Sequence, residues 1–166
     1  MKQLLHKTKR LIALLTLAAL LALPGMGWGQ APLPVATTTL SRTALPTGFT
    51  ANGLGADYTS PRNPSLRIDD AGDWVSLFFN GTPGILSYIL KANVGSGSWA
   101  GTFTIQESSN GSTWTTLRTI NTSGAISTVT SGTTFTDIPL STTRYIRWTY
   151  TTETNGNIAM CDVNLT

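Results

Sequence analysis

"TIQESSNGSTWTTLRTI", Thr104 to Ile120, is the stretch that decides the fold. Two runs of alternating residues flank a short polar segment, Ser108-Ser109-Asn110-Gly111. Asn and Gly both tolerate positive φ, so Asn110-Gly111 is the strongest tight-turn signal in the chain. Strand side chains point alternately to opposite faces, and period-two patterning on both sides of such a turn predicts a β-hairpin. Trp114 follows just past the turn. It is read as a packing residue whose ring covers the open end of the fold.

The same pattern extends outward. Thr102 to Gln106 alternates cleanly, as does Tyr145 to Tyr150, which gives each strand one dry face and one wet face. From Gly48 onward no eleven-residue window repeats apolar residues at helical spacing. Strands are expected at Ser65–Asp69, Trp74–Asn80, Ile85–Val94, Gly101–Glu107, Thr113–Ile120, Ile126–Ser131, Thr133–Asp137, Arg144–Tyr150 and Asn157–Leu165. Such a set around one core predicts an all-β fold, a two-sheet antiparallel β-sandwich with jelly-roll topology. Trp148, on the face of Ile146 and Tyr150, is assigned to that core, with Trp74 and Phe79. In the last strand Ala159, Cys161, Val163 and Leu165 are expected on one face and Asp162 on the other.

The beginning of the chain has a different logic. Lys2, His6, Lys7, Lys9 and Arg10 precede an uncharged run, Leu11 to Leu23, which Pro24 and Gly25 break. Such a run spans about 20 Å as a helix, too short for a ~30 Å hydrocarbon core. With small residues before Gln30, residues 1–30 read as a secretory signal peptide, leaving no membrane span in the mature form. Residues 31–45, rich in Pro and Thr, read as an irregular leader or an irregular first strand, and residues 46–166 as the sandwich domain. No second domain is expected.

Export changes the electrostatics. The basic character of the chain rests on four cations of the signal. The mature chain keeps seven Lys and Arg against eight Asp and Glu, a net charge of −1. One Lys and scattered Arg offer no phosphate-binding cluster, so nucleic acid is not expected as a partner. Cys161 is the only cysteine, so no intrachain disulfide can form.

Two stretches carry a family resemblance. "IQESSNGSTWTTL" (Ile105 to Leu117) resembles the strand–turn–strand of discoidin-type, galactose-binding-like domains, and "TRYIRWTY" (Thr143 to Tyr150) resembles their Arg-Tyr-Val/Ile-Arg strand. "IAMCDVNL" (Ile158 to Leu165) is similar to the closing strand of jelly-roll carbohydrate-binding modules, with Cys161 where an Asp is usual. "PSLRIDDAGDWVSL" (Pro64 to Leu77) is similar to the front of a secreted jelly-roll module of Bacteroidota surface proteins. The resemblance covers roughly Leu45 to Thr166 and is more specific for fold than for ligand. The Asp-box of sialidases is a competing match to Ser108–Trp114. This copy is one residue short, carries Asn110 for Asp and occurs once, so it is rejected.

Catalytic chemistry finds little to work with. The single histidine, His6, leaves with the signal, which removes imidazole from triads and zinc sites alike. No sequence spacing pairs two carboxylates across a cleft, so an enzyme is not expected. Asp69-Asp70-Ala71-Gly72-Asp73 offers carboxylates to a hard cation such as Ca²⁺, with Asp70 as the candidate, although a solvated turn favours the same residues. The resemblance implies a structural Ca²⁺ at Asp162, with one carboxylate of the usual pair missing.

Stacking a sugar ring needs an aromatic held outward beside polar groups. Trp99, in a Gly/Ser loop, is the first candidate. Tyr58 with Arg62 comes second, and Tyr145 with Arg147 on the wet phase of their strand third. The function expected is an exported, non-catalytic recognition or adhesion module for a glycan or cell-surface polymer, secreted or held at the cell surface. The alternative is a structural or interaction module accessory to a larger surface protein.

Overall fold

The computed structural model describes residues 29–166, so nearly all of the signal-like segment lies outside the described residues. The strands are β1 (Ala31–Pro32), β2 (Val35–Thr37), β3 (Phe49–Asn52), β4 (Gly55–Tyr58), β5 (Ser65–Ile68), β6 (Trp74–Asn80), β7 (Leu86–Asn93), β8 (Ala100–Ser108), β9 (Thr115–Ile120), β10 (Thr133–Asp137), β11 (Tyr145–Asn155) and β12 (Asn157–Leu165). They form two six-stranded sheets. The first runs β1-β6-β11-β8-β9, with β3 also on β6. The second runs β10-β7-β12-β5-β4, with β2 also on β12. Every pairing is antiparallel except β1 with β6. This is the expected jelly-roll sandwich. No described helix is long and apolar enough to cross a membrane.

Alternation places the core. Val75, Leu77 and Phe79 of β6, Phe103 and Ile105 of β8, and Ile146, Trp148 and Tyr150 of β11 turn inward and are buried. They meet Leu86, Tyr88 and Leu90 of β7 and the inner face of β12. Tyr88 of one sheet stands edge-on to Trp148 of the other, ring centroids 5.6 Å apart. Its hydroxyl donates to Asp137 Oδ2 at 2.9 Å, and Arg118 Nε of β9 donates to Asp137 Oδ1 at 2.8 Å. A buried carboxylate thus ties the edges of the two sheets, satisfied by a phenol and a guanidinium.

Four expectations need correction. Residues 31–45 are not an irregular leader: β1 and β2 lengthen the two sheets, and Ala31, Val35 and Leu40 are buried. Ile126–Ser131 forms no strand. Ile126 is a buried anchor, and Thr133 Oγ1 takes the Ser127 N–H, closing a local turn instead of a ladder. The inner face of β12 is Ile158, Met160, Val163 and Leu165, because a bulge at Asp162 (φ 50°) resets the alternation. Ala159 and Cys161 therefore take the outward phase, although both are covered. Trp74 belongs to the outward phase of β6 and is only half-buried.

Candidate ligand-binding face

The outer face of the first sheet is built by register. Thr50 of β3 pairs with Ser76 of β6, Ser76 with Arg147 of β11, and Arg147 with Gln106 of β8. Paired residues share a face, so these four side chains form a polar row across four strands. Trp74, paired with Thr149, lies on one side of the row, and Phe78, paired with Tyr145, on the other. Thr50, Trp74, Ser76, Gly111, Trp114, Tyr145 and Arg147 line a concavity of about 260 Å³.

Aromatic packing fixes its far wall. Phe78 and Tyr145 stack nearly parallel, with centroids 4.3 Å apart and planes at 5°. Trp114 meets Tyr145 edge-on at 6.3 Å. The Arg147 guanidinium lies over the Trp114 ring, its carbon 4.1 Å from the centroid, a cation–π arrangement. Nε and Nη2 of Arg147 donate to Gln106 Oε1 at 3.1 and 2.8 Å, which fixes the orientation of the fork. Burial pulls the Arg147 guanidinium below its usual pKa.

The hairpin turn that decided the fold also holds this wall. Ser108 Oγ accepts the N–H groups of Asn110 and Gly111, and Asn110 Oδ1 accepts those of Ser112 and Thr113 at 2.9 Å each. Gly111 has φ 73°, and a Cβ there would meet the Tyr145 ring at 3.1 Å. Glycine is required twice over, by conformation and by contact. Trp114 is therefore not a cover for the open end of the sandwich. It leaves the turn on the outer face and backs Arg147.

The candidates read from sequence separate into three places. Tyr145 and Arg147 come together on the outer face. Tyr58 and Arg62 lie with the second sheet and are already engaged. The Tyr58 hydroxyl accepts from Asn157 Nδ2 at 3.3 Å, Arg67 covers its ring at 5.3 Å, and Arg62 pairs with Asp162 at 2.9 Å. Trp99 is fully buried, which corrects the expectation of an outward ring. Its Nε1 donates to the Tyr150 hydroxyl at 3.0 Å, which in turn donates to the Gly156 carbonyl at 2.5 Å. A tryptophan in a Gly/Ser loop can fold under the loop when a partner inside satisfies its N–H.

The carboxylates are likewise committed. Asp69 pairs with Arg67 at 3.0 Å and accepts the Gly55 N–H, while Asp73 Oδ2 accepts the N–H groups of Asp69 and Asp70. Of the three carboxylates of that turn only Asp70 is exposed. Among the described residues no three His, Cys, Asp or Glu side chains gather where they could hold a metal ion. At Asp162 a guanidinium stands beside the single carboxylate, so the donor set does not fit a Ca²⁺ ion, which needs several oxygens.

Sequence reasoning missed Trp74, Phe78, Gln106 and the role of Trp114. The signal was present in "WVSLFFN", Trp74 to Asn80. Ser76 sits in phase with Trp74 and Phe78, opposite to Val75, Leu77 and Phe79. A small polar residue in mid-strand marks the wet face, and the aromatics beside it share that face.

No protein-family model matches the sequence, and no curated protein matches it either. Solved structures do resemble the fold. A variant of a family 29 carbohydrate-binding module complexed with mannohexaose aligns with a TM-score of 0.54 at 16% identity, covering 80% of this chain and 92% of that one. The cleaved adhesin domain K2 of Lys-gingipain aligns with a TM-score of 0.56 at 13% identity, covering 81% and 98%. A second family 29 module, from Piromyces equi, gives 0.53 at 11% identity, covering 81% and 91%. The fold shared with these domains is the two-sheet jelly-roll sandwich.

Proposed function

We propose that this protein is an exported, non-catalytic recognition module that binds a carbohydrate chain across the outer face of the first sheet. The carrying observation is the placement of Trp74, Trp114 and Tyr145 around a polar row on a concave sheet face. The C–H faces of pyranose rings stack on aromatic rings, while hydroxyls hydrogen-bond to amide and guanidinium groups beside them. The lining supplies both parts. It carries no carboxylate, thiol or imidazole, the groups that glycoside cleavage or acyl transfer would draw on. The signal-like residues 1–30 support export to the medium or the cell surface, and carbohydrate-binding and adhesin neighbours are consistent with that place.

Affinity electrophoresis of the mature chain through gels containing individual polysaccharides tests this reading. Retardation by at least one polysaccharide is expected, with Trp74→Ala and Trp114→Ala each removing it and Tyr58→Phe leaving it intact. Retardation that depends on Tyr58 and survives both tryptophan variants would move the site to the second sheet. Silence across the panel would favour the accessory, interaction-module alternative.

A further inference from the structure

The geometry points to an acidic sugar, a uronic acid residue, as the unit read by Arg147, an inference that rests on the carbohydrate-binding reading of the same face. Two other half-buried guanidiniums of the domain are matched by carboxylates. Arg67 pairs with Asp69 at 3.0 Å, and Arg118 with Asp137 at 2.7 Å. Even Arg62, half exposed, pairs with Asp162 at 2.9 Å. Arg144 instead donates to the carbonyls of Ser141 and Thr143. Arg147 shares with half-buried Arg144 the lack of a carboxylate, but where Arg144 has two carbonyls, Arg147 has among the described residues one acceptor, the Gln106 amide oxygen. Among the described residues Arg147 has no acidic partner, although it is half-buried and sits in the floor of the concavity. Taking a charge partly out of water is costly unless a counter-charge answers it, and here the protein provides none.

What the protein provides is orientation. Gln106 holds Nε and Nη2 on one edge of the guanidinium, and the Trp114 ring supports one of its faces. Nη1 has no protein acceptor among the described residues, so the end-on edge of the fork stays available. That edge matches the two oxygens of a planar carboxylate, a geometry that ammonium cannot reproduce. A hydroxyl would engage the same edge with one oxygen and leave the charge unanswered. The flanking Trp74 and Tyr145 rings would carry the sugar faces on either side.

The test is isothermal titration of the mature chain with polygalacturonate, alginate, fully methyl-esterified polygalacturonate, neutral glucomannan and dextran sulfate. At least one polyuronate should bind, and esterification should weaken polygalacturonate about tenfold or more, the scale of one charge-assisted contact. Arg147→Lys should lose most of that preference, because it keeps the charge and loses the fork. Circular dichroism and the thermal midpoint show whether each variant is folded. Binding to glucomannan or to the ester as tight as to the acid, and indifferent to Arg147→Lys, would overturn the inference while the carbohydrate reading stands. Binding to dextran sulfate alone would replace the uronate by a sulfate. Failure of every polysaccharide would overturn both readings.

Discussion

Trp114 and Trp148 lie thirty-four positions apart, on opposite faces of one sheet, and truncating each in turn separates site from core. Trp148 is fully buried and edge-on to Tyr88, so Trp148→Ala removes a large side chain from a packed interior. Loss of a buried aromatic of this size costs about 3–5 kcal/mol. Trp114 is half-buried, and its two specific contacts are the edge of Tyr145 and the face offered to Arg147. An aromatic pair is worth about 0.5–1.5 kcal/mol, and a cation–π contact at an exposed site about 0.5–1 kcal/mol, so Trp114→Ala should cost about 1–2 kcal/mol. For a domain of this length each kcal/mol moves the midpoint by about 3–5 °C. Differential scanning fluorimetry should show a fall of roughly 9–25 °C for Trp148→Ala and of roughly 3–10 °C for Trp114→Ala. Only the latter should stay fully folded at room temperature while losing retardation in a polysaccharide gel. If Trp114→Ala falls as far as Trp148→Ala, its indole belongs to the core and the outer-face site is wrong.

Two further outcomes follow from the charges. Because Asp162 is paired with Arg62, whose side chain is 51% exposed, chelators should leave the melting temperature unchanged, and Asp162→Asn should cost about 0–1 kcal/mol; a chelator-induced fall that added Ca²⁺ reverses would restore a metal site there. Burial pushes the Cys161 thiol up from 9.0 to about 11, and burial with the neighbouring Asp137 carboxylate pushes the Tyr88 hydroxyl up as well. Both groups are held neutral in the fold, so their contribution is complete below the unfolded pKa and is lost as pH rises through the folded one. Urea midpoints should be flat to about pH 9 and fall beyond it. Cys161→Ala should remove the first part of the decline, on the order of 1–3 kcal/mol by pH 11, and an unchanged decline in that variant would show the thiol is not the titrating group.

The architecture was legible in the sequence wherever alternation ran for five or more residues. Trp74–Asn80, Thr133–Asp137 and Asn157–Leu165 are strands with the bounds the pattern gave. Short edge strands were not legible. β3 and β4 contain Asn52, Gly55 and Asp57, residues that propensity assigns to turns, and they are strands because β6 and β5 offer an edge to pair with. The bulge at Asp162 was also hidden, since nothing local distinguishes one inserted residue from continued alternation. The outer-face placement of Tyr145 and Arg147 was legible because both carry their phase within "RYIRWTY". The placements of Trp99 and Trp74 were not legible. A tryptophan's preference for burial is overridden by strand phase, and a loop context says nothing about which way the ring turns.

The two outer faces of the sandwich differ in a way that bears on function. On the second sheet the outward phase is closed by the protein itself, with Ala159 and Cys161 fully covered and Arg62, Asp162, Tyr58 and Arg67 engaged with one another or with neighbours. The first sheet sends Trp74, Phe78, Tyr145 and Trp114 outward, and they remain half-buried around a concavity. None of these four belongs to the buried core, where Trp99, Trp148, Tyr88 and Tyr150 already fill the space between the sheets. Stability alone gives no reason to place four aromatic rings on a wet face, because burying them would need a partner surface that the domain does not contain. Half-buried rings gathered beside polar groups on a concave face support the interaction site proposed above. On the carbohydrate reading proposed above, Thr50 and Arg147 beside the rings offer polar partners to the hydroxyls of a ligand.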